Sequence, residues 1–254
     1  MIKNYMVDKL NVRIFETREQ MGECAGNEAA DEIVKAIKKK GCANVMFAAA
    51  PSQNETLEAL SKRKDVDWSK VNAFHMDEYL DLDETHPAGF RLFLKKAIFD
   101  KFPFKNVYLI NGNAERKEDV IEEYSRLLKE NPLDVCLCGI GENGHIAFND
   151  PAVADFNDPA LIKIVDLDEK CRMQQVHDGC FSSLDEVPRK AFTVTIPGMT
   201  SASVMICSVP ASTKKEAVKE MTKGAITTAC PASILRQHKD ARLYLDKDSA
   251  ALIL

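Results

Sequence analysis

The sequence contains no stretch that could anchor the chain in a membrane. No apolar run is long enough to cross a bilayer. The first residues also lack the apolar core of a secretory signal peptide. We therefore expect a cytoplasmic protein with no membrane partner. Internal repeats, low-complexity tracts and linkers are absent too, so residues 1–254 are expected to form a single domain.

An excess of positive charge is also missing. Lys and Arg number 34 against 39 Asp and Glu, which gives a formal net charge of −5. The two signs are mixed throughout the chain, whereas nonspecific nucleic-acid binding needs a concentrated basic face. We expect a small-molecule partner and no nucleic acid.

The eight cysteines include no C-x-x-C pair, so neither a common redox motif nor a common zinc motif is present. Most of them lie in segments of apolar pattern, which indicates reduced and mostly buried thiols. Cys136 and Cys138 would share one face of a strand. We do not expect a metal site there.

Hydrophobic residues make up 45% of the chain, which is enough for a large core. Short apolar segments alternate with amphipathic ones along nearly the whole sequence. This alternation predicts an α/β fold: a doubly wound, mostly parallel sheet with helices on both faces. The expected strands are 10–15, 45–50, 71–75, 107–110, 135–138, 161–166, 191–196, 204–209 and 241–245, and the expected helices are 17–40, 55–63, 90–99, 115–130, 212–223 and 233–238.

One stretch is unusually rich in special residues. A buried strand, 135–138, is followed by Gly139, Gly141 and Gly144, and then at once by His145. Glycines permit positive φ and close approach of the backbone to a ligand. A histidine in such a turn at the end of a strand lies where open α/β sheets place their ligands. The alternative is a tight turn with a solvated histidine.

The same stretch matches the dinucleotide pattern G-x-G-x-x-G over 139–144, with Asp166 22 residues further on. That fingerprint requires a helix directly after the glycines, so that its N-terminus meets the pyrophosphate. Pro151 and Pro159 leave no room for a long helix. The sequence therefore argues against NAD or FAD binding.

Parallel strands would bring four polar segments to one edge of the sheet, 51–54, 75–78, 139–150 and 210–215. Asp77 and Glu78 are adjacent carboxylates after a strand, and a carboxylate facing a sugar can move a proton between carbons. The alternative for them is helix capping or solvated charge. His145 can transfer protons at neutral pH, and Asn143 and Asp150 flank it.

Three motifs resemble those of the glucosamine-6-phosphate deaminase (isomerase) family. They are Phe-His-Met-Asp-Glu-Tyr at 74–79, Gly-Ile-Gly-Glu-Asn-Gly-His-Ile-Ala-Phe-Asn-Asp-Pro at 139–151, and Ser-Ile-Leu-Arg-Gln-His at 233–238. The related 6-phosphogluconolactonases share a shorter form of the second motif. The resemblance runs from about residue 45 to the C-terminus.

The resemblance implies a Rossmann-like fold and conversion of glucosamine 6-phosphate and water to fructose 6-phosphate and ammonia, without a redox cofactor or a metal. Asp77 matches the base that moves a proton from C2 to C1, and His145 matches the ring-opening histidine. Asp150 falls on the acidic partner of that histidine, usually a glutamate. Lys214 falls on a lysine that binds the phosphate. Many members of the family assemble, so a homo-oligomer is the assembly to test for.

The sequence departs from the family at three points. Asn143 replaces an aspartate, and an amide cannot stabilise an imidazolium by charge. The phosphate loop lacks its glycines, which leaves side chains of 52–54 as donors. A phosphate-binding arginine matches Gln175, with Arg172 nearby. The substrate-binding candidates are Ser52, Gln53, Asn54, Glu78, Gly141, Gly144, Arg172 and Lys214, and the catalytic candidates are Asp77, Asn143, His145 and Asp150.

Two other functions stay open at this point. One is a catalytically weak sugar-phosphate sensor, although no helix-turn-helix module is evident. The other is a 6-phosphogluconolactonase-like hydrolase in which His145 activates water. Asp77, with Met76 and Tyr79 beside it, favours carbon-acid chemistry.

Overall fold

The computed structural model describes all 254 residues and contains eleven strands and seven α-helices. The strands are β1 (Lys3–Val7), β2 (Leu10–Phe15), β3 (Ala43–Phe47), β4 (Val71–His75), β5 (Asp77–Tyr79), β6 (Asn106–Tyr108), β7 (Val135–Cys138), β8 (Ile162–Asp166), β9 (Lys190–Val194), β10 (Val204–Val209) and β11 (Ala241–Asp246). The helices are α1 (Arg18–Lys40), α2 (Asn54–Ser61), α3 (Phe90–Ala97), α4 (Lys117–Glu130), α5 (Glu169–His177), α6 (Ile196–Thr200) and α7 (Lys215–Lys223). None of these helices has the length and apolar character needed to cross a membrane.

A central sheet of eight strands has the order β1-β2-β11-β10-β7-β3-β4-β6. Only β1 is antiparallel to its neighbour, and the other seven strands are parallel. From β3 the chain proceeds outward to β4 and β6, whereas from β7 it proceeds the other way to β10 and β11. The adjacent ends of β3 and β7 are therefore the topological switch point, where open α/β sheets form a crevice.

Helices cover both faces of this sheet, as the sequence predicts. Successive residues of a strand point to opposite faces, and they fall into two separate apolar clusters. Met46 and Cys136 pack in a cluster with residues of α4 and α7, whereas Val45 and Leu137 pack in a cluster with residues of α1, α2 and α3. Cys136 and Cys138 lie in the same cluster, as expected for one face of a strand.

The long first helix begins and ends at the residues that the sequence signals predict. The Thr17 side chain accepts a hydrogen bond from the Gln20 N–H at 3.3 Å, which caps the N-terminus of α1. Gly41 takes the left-handed conformation at φ 84° and ends the helix. Local capping chemistry is thus sufficient to set both boundaries.

The expectation of one sheet was wrong for two of the predicted strands. β5, β9 and β8 form a separate antiparallel sheet in that order. The predicted strands 161–166 and 191–196 exist, but they pair with each other and with the segment after β4 rather than joining the parallel sheet. Alternation along the chain does not reveal this, because pairing between distant segments leaves no local signal.

Four of these elements had no counterpart in the sequence-based prediction: β1, β5, α5 and α6. α5 lacks an apolar stripe, since the residues that it buries include Arg172, Gln174 and Gln175. Periodicity of apolar residues is the main helix signal, and a polar buried face hides it. The segment 233–238, predicted as a short helix, overlaps a 3₁₀ helix over Pro231–Gln237, which His238 ends in extended conformation.

Candidate active site

A cleft opens at the switch point of the central sheet. Its walls come from the segments after β3, β4 and β7 and from α5, which lies over them. The lining residues are Ala48, Ala49, Ala50, Ser52, Gln53, Met76, Asp77, Phe90, Gly139, Ile140, His145, Ala147, Phe148, Gln174 and Gln175. Three of the four predicted segments, those after β3, β4 and β7, meet in this cleft, and the two proton-transfer candidates Asp77 and His145 line it. The fourth segment, 210–215, contributes no lining residue.

Asp77 is held by strand pairing. It is the first residue of β5, where it pairs with Thr193, and the Val194 N–H donates to the preceding Met76 carbonyl at 2.7 Å. Its side chain is buried, and burial followed by the charge of Glu78 raises the pKa of the Asp77 carboxyl well above its ordinary value. No side-chain partner holds this carboxylate. A buried base of raised pKa, facing a cleft, is suited to abstracting a proton from carbon.

Glu78 points to the other side of β5, because neighbouring residues of a strand alternate. Its carboxylate accepts hydrogen bonds from the Tyr79, Phe90 and Arg91 N–H groups at 3.0, 3.2 and 2.8 Å. Phe90 and Arg91 open α3, so the carboxylate stabilises the positive end of that helix. It also forms an ion pair with the Arg91 guanidinium at 3.1 Å. These contacts give Glu78 a structural role in joining β5 to α3, and its side chain does not line the cleft.

The turn that carries His145 depends on its glycines. A Cβ at Gly141 would lie 2.3–2.4 Å from three atoms of the His145 ring, so only glycine leaves room for the imidazole. Gly144 has φ 82°, and a Cβ there would also meet the Cys230 sulfur at 2.7 Å. The Gly141 N–H donates to the His145 carbonyl at 2.9 Å, which closes the turn. Both glycines therefore position the histidine.

A carboxylate lies behind His145. Nδ1 of His145 is 2.8 Å from Oδ1 of Asp150, although that oxygen lies off the direction of the ring N–H, so the contact is a close ion-pair geometry without an aligned hydrogen bond. Burial would raise the pKa of Asp150, but the close contact with the His145 imidazole, with help from Asn143, leaves it below its ordinary value. Asp150 is thus an ionised partner for the imidazole.

Asn143 bridges two carboxylates. Its amide nitrogen donates to Oδ1 of Asp150 at 2.9 Å and to Oδ2 of Asp168 at 3.1 Å, and its oxygen accepts the His145 N–H at 3.0 Å. An amide is required for this geometry, because only N–H groups can donate to two carboxylates at once. Position 143 itself carries no negative charge, but Asp168, on the far side of Asn143 from His145, does.

The loop after β3 contributes in part. Ser52 and Gln53 line the cleft, but the Gln53 amide nitrogen donates to Ser52 Oγ and to the Ser208 carbonyl, both at 3.2 Å, which ties the loop to the end of β10. Asn54 begins α2 and is exposed outside the cleft. Of the three side chains predicted for this loop, the structure brings Ser52 and Gln53 to the site.

The two cationic candidates differ in their surroundings. Arg172 is buried and donates to the Leu184 and Val187 carbonyls, so it holds the segment after α5 rather than lining the cleft. Gln175, one turn further along α5, does line it. Lys214 is only 5% exposed and has no ion-pair partner within 4 Å. Burial lowers the pKa of Lys214, opposed by the charges of Asp178 and Glu142.

Sequence reasoning missed the contribution of α5. Asp168 caps this helix by accepting the Cys171 N–H at 2.6 Å while it also binds Asn143. Gln174 lines the cleft and accepts the Glu142 N–H at 2.9 Å, which ties α5 to the glycine turn. An Asp followed by a polar, helix-compatible segment is the one signal that could have indicated the cap.

Comparisons with known proteins show the family of this chain. A family model described as glucosamine-6-phosphate isomerases/6-phosphogluconolactonase matches residues 16–245. The chain belongs to this family. Curated relatives include glucosamine-6-phosphate deaminases of Bacillus thuringiensis (strain Al Hakam) and Bacillus cereus (strain AH820). Each is 32% identical over 243 residues, with 96% of this chain and 89% of the relative covered.

Solved structures of family members have the same fold. A monomeric glucosamine-6-phosphate deaminase superposes with a TM-score of 0.86 at 27% identity, covering 95% of this chain and 99% of that one. A 6-phosphogluconolactonase from Thermotoga maritima gives a TM-score of 0.76 at 18% identity, covering 94% and 100%. The second likeness shows the fold alone. The family's Rossmann-like α/β fold, expected from the resemblance, is confirmed.

Proposed function

We propose that this protein is an amino sugar phosphate deaminase/isomerase, which converts glucosamine 6-phosphate and water to fructose 6-phosphate and ammonia. The observation that carries the proposal is the unpartnered, buried Asp77 carboxylate in the same cleft as His145. The choice of substrate follows the relatives, which are named as glucosamine-6-phosphate deaminases.

Ring opening is the first step. His145 accepts the proton of the C1 hydroxyl, and a proton is returned to the ring oxygen as the C1–O bond breaks. Asp150 faces the imidazole at 2.8 Å and is ionised, so it stabilises the positive charge that develops on the ring. The product is an open-chain aldehyde with an amino group on C2.

Isomerisation follows on Asp77. Its carboxylate takes the C2 proton, and the electron pair forms a C1–C2 double bond. The aldehyde oxygen gains the proton that the ammonium form of the C2 amino group gives up, which leaves a neutral enolamine. The same carboxyl then returns a proton to C1, and the nitrogen at C2 becomes an imine. Water adds to C2 and ammonia leaves, which restores the proton count and produces the ketose. A raised pKa makes Asp77 a stronger base than a solvated aspartate.

The phosphate end requires a cation. Lys214 is the candidate, because it is buried, lies after β10 at the same edge of the sheet and has no anionic partner within ion-pair distance. Placing a dianion beside it would restore the charged state that burial disfavours. Ser52, which lines the cleft, offers a hydroxyl as a further donor.

A lactonase would need a base that activates water but no carbon base. The placement of Asp77, with no partner to serve structurally, favours the deaminase over this alternative. Only a measurement of turnover distinguishes a catalytically weak sugar-phosphate sensor from an enzyme.

Turnover is measured by the release of ammonia and fructose 6-phosphate from glucosamine 6-phosphate. We expect Asp77→Asn to lower kcat by at least about 1,000-fold, because general acid–base catalysis supplies factors of that order. We expect His145→Gln to lower it by orders of magnitude as well. Asp166→Asn, an exposed carboxylate change on β8, is the matched control and should leave kcat unchanged. Tight binding without turnover by the unmodified protein would replace the enzyme with a sensor.

A further inference from the structure

Three side chains that commonly bind metals meet behind the cleft. The ligand atoms of His145, Asp150 and Cys171 all lie within 4.8 Å of one another, and all three residues are buried. Around a tetrahedral zinc ion the ligand atoms are about 3.5 Å apart, given bonds of about 2.0–2.3 Å. Small side-chain shifts would therefore bring the three atoms onto one ion.

A second observation points to the same place. His145 is 7% exposed, yet its Nδ1 atom has no aligned hydrogen-bond partner. Buried polar atoms nearly always have one. This nitrogen lies 2.8 Å from the Asp150 oxygen, which is itself a member of the cluster. A cation bound at the cluster would give this nitrogen a partner.

The charges around the cluster are mainly negative. Burial raises the pKa of the Cys171 thiol, and the charges of Asp150, Asp168 and Asp77 raise it further. Lys214 is a cation close enough to interact with the Cys171 thiol. A divalent ion would relieve the excess of negative charge, and coordination deprotonates a thiol outright. The proton of Cys171 is released to solvent when the ion binds.

We propose that His145, Asp150 and Cys171 form an inhibitory Zn²⁺ site. A donor set of sulfur, nitrogen and oxygen suits zinc, whereas magnesium and calcium require oxygen ligands. Three protein ligands leave a fourth position for water. Zinc bound here withdraws His145 and Asp150 from ring opening, so the deaminase stops until a chelator removes the ion. The inhibition rests on the proposed function, but the binding does not.

Binding is tested with Co²⁺ as a spectroscopic substitute for zinc. The chelator-treated protein should develop the near-ultraviolet charge-transfer absorption of a cobalt–thiolate bond, and equimolar Zn²⁺ should abolish it. Cys171→Ser, which keeps the size of the side chain, should lose the band. Cys180→Ser removes a half-buried thiol in the turn after α5 and should keep it. Absence of the band in the unmodified protein, or its persistence in Cys171→Ser, would overturn the site.

Inhibition is tested by ammonia release in zinc-buffered solution, with each variant measured against its own metal-free rate. We expect zinc to inhibit the unmodified protein and Cys180→Ser equally, and EDTA to restore both. Cys171→Ser should need at least about tenfold more zinc, since even supporting residues of zinc sites change affinity by 10–100-fold. Equal inhibition of Cys171→Ser would refute the proposal. If the protein has no deaminase activity at all, the cobalt band still decides whether the site exists. Should Cys171→Ser fail to fold, as judged by circular dichroism, Cys171→Ala takes its place in both assays.

Discussion

Changing Asn143 to aspartate tests the carboxylate network behind His145. The family resemblance places an aspartate at this position, so the sequence alone suggests that Asn143→Asp would restore activity. The structure predicts the opposite. The Asn143 amide nitrogen donates to Asp150 and Asp168 at 2.9 and 3.1 Å, and a carboxylate there would face two others at those distances.

The magnitude follows from the separations. Two unit charges about 3 Å apart repel by about 5 kcal/mol at an effective dielectric constant of about 20. The protein can avoid part of this by protonating one carboxyl. At pH 7 that costs about 4 kcal/mol for a group of ordinary pKa near 4, because each pKa unit is about 1.4 kcal/mol. The loss in free energy of unfolding is therefore limited to about 4 kcal/mol at pH 7 and about 2 kcal/mol at pH 5.5.

The direction of the pH effect is diagnostic. A carboxyl whose pKa is raised in the folded state binds more protons there than in the unfolded state, so the variant loses stability as the pH rises. Urea unfolding of Asn143→Asp at pH 5.5 and pH 7.5 should show the larger deficit at pH 7.5. Ammonia release should also fall. Asn113→Asp, an exposed change, should alter neither quantity. A variant that is as stable as the unmodified protein at pH 7.5, and faster, would refute this account of the network.

Three further predictions concern the cleft. Gly141→Ala should lower kcat by at least about 100-fold, because the new Cβ would lie 2.3 Å from the nearest atom of the His145 ring and would displace the ring. Steady-state kinetics on a variant with near-normal thermal unfolding would check this. Asp168→Asn should lower kcat by up to about tenfold, because it removes a carboxylate that holds Asn143. The helix α5 should persist, since asparagine caps helices as well as aspartate does. Unchanged kcat together with unchanged helical circular dichroism would contradict a role of Asp168 in positioning. The acid limb of kcat/KM should lie above the ordinary aspartate pKa of 3.8, because Asp77 must be ionised to act and its pKa is raised; a rate that stays constant down to that pH would contradict the assignment.

Much of the fold follows from local sequence signals. Thr17 and Gly41 delimit α1, and the apolar runs of β4, β7 and β10 identify strands that are buried on both faces. Because parallel strands end at a common edge, these assignments also predict that the Asp77 and His145 segments meet. The cleft confirms that placement.

The rest depends on contacts between distant segments. β5 pairs with β9 through Asp77 and Thr193, more than a hundred residues apart, and no local pattern encodes that register. α5 buries polar side chains, so it carries no apolar stripe and the sequence does not predict it as a helix. The roles of Asp168 and Gln174, which depend on this helix, could therefore not be predicted either. Helix geometry likewise decides that Gln175 rather than Arg172 lines the cleft.

The central claim is that Asp77 moves the C2 proton of the sugar in a cleft that it shares with His145. Exchange of that proton in deuterated water, followed by nuclear magnetic resonance of the amino sugar phosphate, measures this step directly. We predict exchange with the unmodified protein and none with Asp77→Asn, although that variant still binds the sugar phosphate. Exchange by Asp77→Asn at the unmodified rate would contradict the account.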